Sequence, residues 1–220
     1  MDRDYVYAGP EVYKDEYNVT HILVDENGIY VNYSVTIYGH GHEFDANDSA
    51  RIFNILGSNV VLKDIVFVNG RFDGDGGAIL WTGKNGAIDN CTFKDCYAGS
   101  DGGAFYMING STISNCNFKN CRAGSSGGAV YFEGDTGKIT ESNFINCAAE
   151  YAGGAVYMKG NKSTISSCYF KGDYAKSRAG AIYLDSIGGR VLYCSFNNCS
   201  NEEYPYGGGA IVCCAADNIV

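Results

Sequence analysis

Two prolines and three methionines in 220 residues leave few chain breakers and little flexible core filler. No stretch approaches the ~20 consecutive apolar residues that a membrane helix needs, so no membrane insertion is expected. Basic charge is also scarce. Sixteen Lys and Arg face twenty-five Asp and Glu, a net charge of −9. A nucleic acid or an anionic membrane selects for the opposite balance, which argues against both as partners. Three histidines, and cysteines spaced Cys-x4-Cys rather than Cys-x2-Cys, argue against a metal centre. No cofactor is expected. The stretch Met1 to Pro10 holds Asp2, Arg3 and Asp4 and no apolar h-region, so no signal peptide is read there. At the other end, Gly208 to Val220 runs into a strand-like segment without a polar tail, as expected of a piece cut from an exported protein.

What is abundant is glycine, tyrosine and cysteine: 30, 18 and 10 residues. They fall into columns. Phenylalanine recurs at Phe67, Phe93, Phe118, Phe144, Phe170 and Phe196, with spacings of 26, 25, 26, 26 and 26. Each is followed by a small triplet: Gly76-Gly77-Ala78, Gly102-Gly103-Ala104, Gly127-Gly128-Ala129, Gly153-Gly154-Ala155, Ala179-Gly180-Ala181 and Gly208-Gly209-Ala210. Five residues before each Phe stands Leu62, Ile88, Ile113, Ile139, Ile165 or Val191. Three columns in phase over six repeats define a solenoid.

Within the repeat the period is two. Ile79, Phe105, Val130, Val156, Ile182 and Ile211 follow the alanine, and Trp81, Met107, Phe132, Met158, Leu184 and Cys213 come two later. Alternation of this kind places both columns on one face of a strand. Three short strands per repeat bury nothing alone. Stacked in register, they predict an all-β, right-handed parallel β-helix of three sheets, each coil ~4.8 Å above the last. Residues 67–220 are the regular coils. Residues 1–66 are expected to hold irregular opening coils, with the first ~15 forming a cap that shields the end of the stack. The uncapped edge from Ile211 to Val220 predicts end-to-end self-association.

Gly39-His40-Gly41-His42-Glu43-Phe44-Asp45-Ala46, Arg51-Ile52-Phe53-Asn54-Ile55 and Val61 to Gly70, followed by the Gly-Gly-Ala and Asn-Cys-x-Phe-x-Asn-Cys repeats, resemble the adhesin-like β-helix proteins of methanogenic archaea. The resemblance runs from about Tyr5 to the end. The Gly-Gly-Ala and Phe-x-x-Asn elements are shared with bacterial autotransporter passengers. It implies a secreted, cell-surface protein that mediates adhesion, and it carries over no catalytic residue.

Several residues are candidates for chemistry. Tyr106, Tyr131, Tyr157 and Tyr183 sit between the inward columns, so they are expected to face out as a continuous strip. The strip either supports the sheet or offers an aromatic platform to a glycan or cell-surface protein of another cell. Asp75 and Asp101, three before the alanine in successive coils with Asp73 alongside, form an acidic pair that would serve Ca²⁺ or a glycoside-cleaving acid and base. Asp in a glycine-rich turn is also ordinary turn chemistry. His40 and His42 read as ordinary surface or core residues. Cys91, Cys116, Cys168 and Cys194 form one core column with Ile65 and Ser142; Cys96, Cys121, Cys147 and Cys199 form another with Gly70 and Asp173. They read as small, reduced core filler, with vertical disulfides between neighbouring coils as the alternative, and with a terminal pair at Cys213 and Cys214. An Asn column two after each Phe is expected to form a corner ladder. The turns Tyr97 to Asp101, Arg122 to Ser126, Ala148 to Ala152, Tyr174 to Arg178 and Ser200 to Gly207 vary most and are the expected recognition loops. Seven Asn-x-Ser/Thr sequons, at Asn18, Asn32, Asn47, Asn90, Asn109, Asn161 and Asn198, permit glycosylation of an exported chain. The function expected is a non-catalytic, extracellular adhesin-like module, with a β-helix carbohydrate-active enzyme as the alternative.

Overall fold

A computed structural model describes residues 26–202 and 208–220, with the backbone of the strands Tyr5–Val6, Val12–Lys14 and Thr20–Ile22. Most of the expected cap, the Asn18 sequon and the end of the Ser200–Gly207 turn lie outside the described residues. Every described element is a strand. One coil shows the plan: Thr92–Lys94, Tyr97–Ala98, Phe105–Met107 and Thr112–Ser114, after which Asn117–Lys119 begins the next. Each strand pairs in parallel with its counterparts above and below, so that Phe93 lies between Phe67 and Phe118, and Ile88 between Leu62 and Ile113. The result is a parallel β-solenoid whose coils are about 26 residues long.

Among the described residues the parallel sheets number four, not three. They hold eight, six, eight and seven strands, and the antiparallel pair Val12–Lys14 with Thr20–Ile22 stands apart. The six-stranded sheet is built from the two-residue strands Arg71–Phe72, Tyr97–Ala98, Arg122–Ala123, Ala148–Ala149, Tyr174–Ala175 and Ser200–Asn201. The last five are the first residues of the expected recognition loops. Their second position turns inward, and Ala98, Ala123, Ala149 and Ala175 are buried there. The opening region enters the same sheets, with Ile29 paired to Phe53, Ile37 to Leu62 and Phe44 to Phe67. Phe44 precedes Phe67 by 23 residues, so that coil is three residues shorter.

The repeat columns are the core. Leu62, Ile88, Ile113, Ile139 and Ile165 are fully buried, as are the triplet alanines from Ala78 to Ala181. From Phe67 to Phe196 the phenylalanine rings stack with centroids 4.7–5.0 Å apart and planes within 12°. Register forces this spacing, because the rings inherit the rise of the sheet. Each pair adds about 0.5–1.5 kcal/mol beyond burial.

Of the corners held by left-handed residues, two flank the phenylalanine strand. The expected ladder is present: Asn69, Asp95, Asn120, Asn146, Gly172 and Asn198 have φ between 54° and 66°. Its rungs bond to each other, as Asn120 Nδ2 donates to Asp95 Oδ1 at 2.8 Å. A second ladder lies three before each Phe, at Asp64, Asn90, Asn115, Glu141, Ser167 and Tyr193, with φ of 49–56°. Asn90 Nδ2 donates to Asp64 Oδ1 at 2.7 Å. Asparagine and aspartate tolerate this region best, so the last three members carry local strain.

Candidate functional site

The tyrosine columns lie on the outer face of the eight-stranded sheet that holds Phe105–Met107, Val130–Phe132, Val156–Met158 and Ile182–Leu184. Inward neighbours on both sides fix each tyrosine outward. Tyr106, Tyr131, Tyr157 and Tyr183 stack with centroids 5.0, 4.8 and 4.9 Å apart and planes within 15°. Three are half-buried, and Tyr183 departs from the expected exposure by being buried. The stack occupies the ring faces. What the strip turns to solvent is ring edges and hydroxyl groups, not the flat platform that a sugar ring would stack on.

Polar groups line both sides of this strip. Tyr106 Oη donates to Glu133 Oε2 at 3.0 Å, and Lys159 Nζ pairs with Glu133 Oε1 at 2.9 Å. At the upper end Arg178 Nη1 donates to Tyr183 Oη at 3.3 Å, and Cys214 Sγ donates to the same oxygen at 2.9 Å. Burial, reinforced by the charge of Asp101, pushes the Tyr131 phenol up to about 12. Tyr106 and Tyr157 are raised for the same first reason, desolvation, so the strip stays neutral at physiological pH.

The acidic pair is stacked as expected, and its inner oxygens are engaged. Asp75 Oδ1 accepts the Asp101 backbone N–H at 3.2 Å, and Asp101 Oδ1 accepts that of Ser126 at 2.8 Å. Each carboxylate thus ties its turn to the next coil. Burial raises the Asp101 pKa and the charge of Asp75 adds to it, while hydrogen bonds from Ser125 and Ser126 oppose the rise. Asp73 lies in another place, a groove of about 240 Å³ shared with Glu26, Asp48 and Arg71. Among the described residues no three His, Cys, Asp or Glu side chains converge as a metal site, so Asp73, Asp75 and Asp101 are not brought together as Ca²⁺ ligands. His40 stacks on Tyr38 at 6.0 Å. The side chains of sequon residues Asn90 and Asn109 donate to Asp64 Oδ1 and the Thr82 carbonyl, so they are engaged in rungs of the stack.

The cysteines occupy the two expected columns. Cys91, Cys96, Cys116, Cys121, Cys147 and Cys168 are buried, Cys194 and Cys199 half-buried, and Cys213 and Cys214 exposed, all ten as free thiols. Desolvation pushes Cys91 up to about 12, which suppresses its thiolate. Thiol titration without reductant is therefore expected to find few fast sites in the native protein, the exposed Cys213 and Cys214 and half-buried Cys194, whose thiol pKa the contact with Cys168 lowers to about 7, and all ten in denaturant. Equal low counts in both conditions would mean disulfides instead.

Fold and face together define a parallel β-solenoid with a tyrosine ladder on one sheet and carboxylate and asparagine ladders at its turns. No protein-family model, curated protein or solved structure matches the chain.

Proposed function

We propose that the chain is a non-catalytic, extracellular adhesin-like module: a stiff rod that binds a cell-surface glycan or protein along its tyrosine sheet. The observation that carries this reading is the ladder from Tyr106 to Tyr183, which repeats one chemical group along the rod. A row of identical donors and acceptors suits a ligand that itself repeats, as a glycan chain does. Because the rings cover one another, contact is made by hydrogen bonds from phenol edges, with Glu133, Lys159 and Arg178 as flanking partners. The resemblance of the Gly-Gly-Ala and Asn-Cys-x-Phe-x-Asn-Cys repeats to methanogen surface proteins supports a location outside the cell.

The alternative is a carbohydrate-active β-helix enzyme, a polysaccharide lyase or glycoside hydrolase. One observation favours it, the raised pKa of Asp101 beside Asp75. The engagement of both carboxylates with backbone N–H groups weighs against it, since each is already committed to holding a turn.

Replacing Tyr131 and Tyr157 together with valine separates these readings. Valine suits a strand, so the fold is expected to survive with a loss on the order of 1 kcal/mol per site from the missing stack. Binding to the neutral glycans of an array should disappear. Neutral-glycan binding that persists in the valine variant would leave the ladder with structural work only. Polysaccharide turnover by the parent chain, abolished by Asp75→Asn with Asp101→Asn, would establish the enzyme.

A further inference from the structure

The cationic groups of this acidic chain are not spread evenly, and one groove collects two of them. It runs along the corner between the six-stranded sheet and the phenylalanine sheet, with a volume of about 610 Å³. Arg71, Tyr97 and Arg122 form one wall as successive outward rungs of parallel strands. Both arginines are exposed. Arg71 Cζ lies 4.5 Å from the centroid of the Tyr97 ring, which holds that guanidinium against the wall. Asn120 and Asn146 of the corner ladder supply amides on the other side. Asp95 also lies here, but Asn120 donates to its Oδ1 at 2.8 Å and Lys94 approaches its Oδ2 at 3.7 Å. Two guanidinium groups against one carboxylate leave the lining of the groove net positive.

We propose that this groove binds a carboxylate-bearing polysaccharide, a function separate from that of the tyrosine ladder. A guanidinium presents a planar fork that fits a carboxylate with two parallel hydrogen bonds. Two such forks stand two rungs apart, about 9.6 Å along the rod at ~4.8 Å per rung. That separation asks for an extended ligand with charges at intervals rather than a single small anion. Between the forks the groove offers the Tyr97 phenol, and Asn120 and Asn146 offer amide groups at the Arg122 rung and one rung beyond it, which suit hydroxyl groups. It offers no deep apolar pocket in which a peptide side chain would anchor, so the polysaccharide is favoured over an acidic peptide. The net charge of −9 does not forbid this. At physiological salt the Debye length is about 8 Å, so carboxylates elsewhere on the rod are screened from a chain lying in the groove.

The test uses the intact chain and calorimetric titration with polygalacturonate, its fully methyl-esterified form, and poly-glutamate. Polygalacturonate is expected to bind, with affinity falling as salt rises, and the neutral ester is expected not to bind. Arg71→Gln with Arg122→Gln should weaken polygalacturonate at least tenfold while circular dichroism and melting stay at the parent values, because both side chains are exposed. Tyr131→Val with Tyr157→Val should leave it unchanged. Failure of neutral-glycan array binding to depend on the tyrosines would therefore sink the ladder reading without touching this one. Equal binding of the ester, tighter binding of poly-glutamate, or full affinity in the arginine variant would each overturn the proposal.

Discussion

Replacing Asp173 with asparagine is expected to raise stability at pH 8 and to flatten its fall between about pH 4 and pH 7. Asp173 occupies a column otherwise filled by Gly70, Cys96, Cys121, Cys147 and Cys199, and it is fully buried. Its Oδ1 accepts the Cys147 backbone N–H at 2.8 Å, and the Cys199 thiol approaches its Oδ2 at 3.9 Å. These bonds do not offset the loss of water, and burial pushes the carboxyl up to about 7. In the unfolded chain an aspartate titrates near 3.9. Between those values the folded protein holds a proton that the unfolded chain has released, so stability falls as pH rises. The penalty is absent below about pH 4 and complete above about pH 7. Three units correspond to something on the order of 4 kcal/mol. Asparagine keeps the Oδ1 acceptor and carries no charge, so it removes most of that penalty. With roughly 2–4 °C per kcal/mol for a chain of this size, the melting temperature at pH 8 should rise by about 10 °C. Both proteins share the carboxylates whose pKa is lowered, such as Asp89 and Glu133, so the difference between their pH curves isolates Asp173. Parallel curves from pH 4 to pH 8 would show that the carboxyl titrates normally.

The same residue shows where sequence reading stopped. Column membership was legible because a 26-residue period and a two-residue alternation act together, and Asp173 was placed in its column on that ground. Its burial as a carboxylate was not, because a column of small residues reads as filler until the side chains are seen to meet the core. The fourth sheet escaped for a related reason. Strands of two residues, such as Tyr97–Ala98 and Arg122–Ala123, are too short to display alternation, so they read as the variable starts of loops. The second left-handed corner had a signal in Asp64, Asn90 and Asn115. That signal fades at Glu141, Ser167 and Tyr193, where the backbone conformation persists without the residues that favour it. At the candidate site, spacing placed the four tyrosines on one outer column. Ring orientation depends on side-chain torsions that spacing does not encode, and it decides that phenol edges rather than ring faces meet a ligand. The arginine groove was hidden because Arg71 and Arg122 are 51 positions apart and become neighbours of Tyr97 only through the register of the short strands.

Gly128→Ala is expected to destabilise the solenoid far more than Gly127→Ala, although both add one methyl group to the same turn. Gly127 adopts φ of +64°, where an L side chain is strained. The repeat itself shows that this position yields. A Cβ at Gly127 would lie 2.4 Å from the Val130 carbonyl oxygen of its own turn, yet its counterpart in a later coil is Ala179, at φ of 56°, so the turn shifts locally to take alanine. Gly128 has no such precedent, since Gly77, Gly103, Gly154, Gly180 and Gly209 fill every equivalent place. A Cβ at Gly128 would lie 2.0 Å from the Gly154 carbonyl oxygen and 2.5 Å from that of Ala148. Both atoms are backbone of the next coil, so no side-chain rotation relieves the clash. The coils must move apart, and the bonds from Gly128 N to Gly153 O, Ala129 N to Ala155 O and Val130 N to Ala155 O lengthen together. At about 1 kcal/mol net for each bond, with repulsion added, the loss should reach 4 kcal/mol or more, a size reserved for backbone and core defects. Urea denaturation of the two variants beside the parent measures the contrast directly. A Gly128→Ala protein within about 1 kcal/mol of the parent would mean that coil separation is not what fixes glycine in the middle of the triplet.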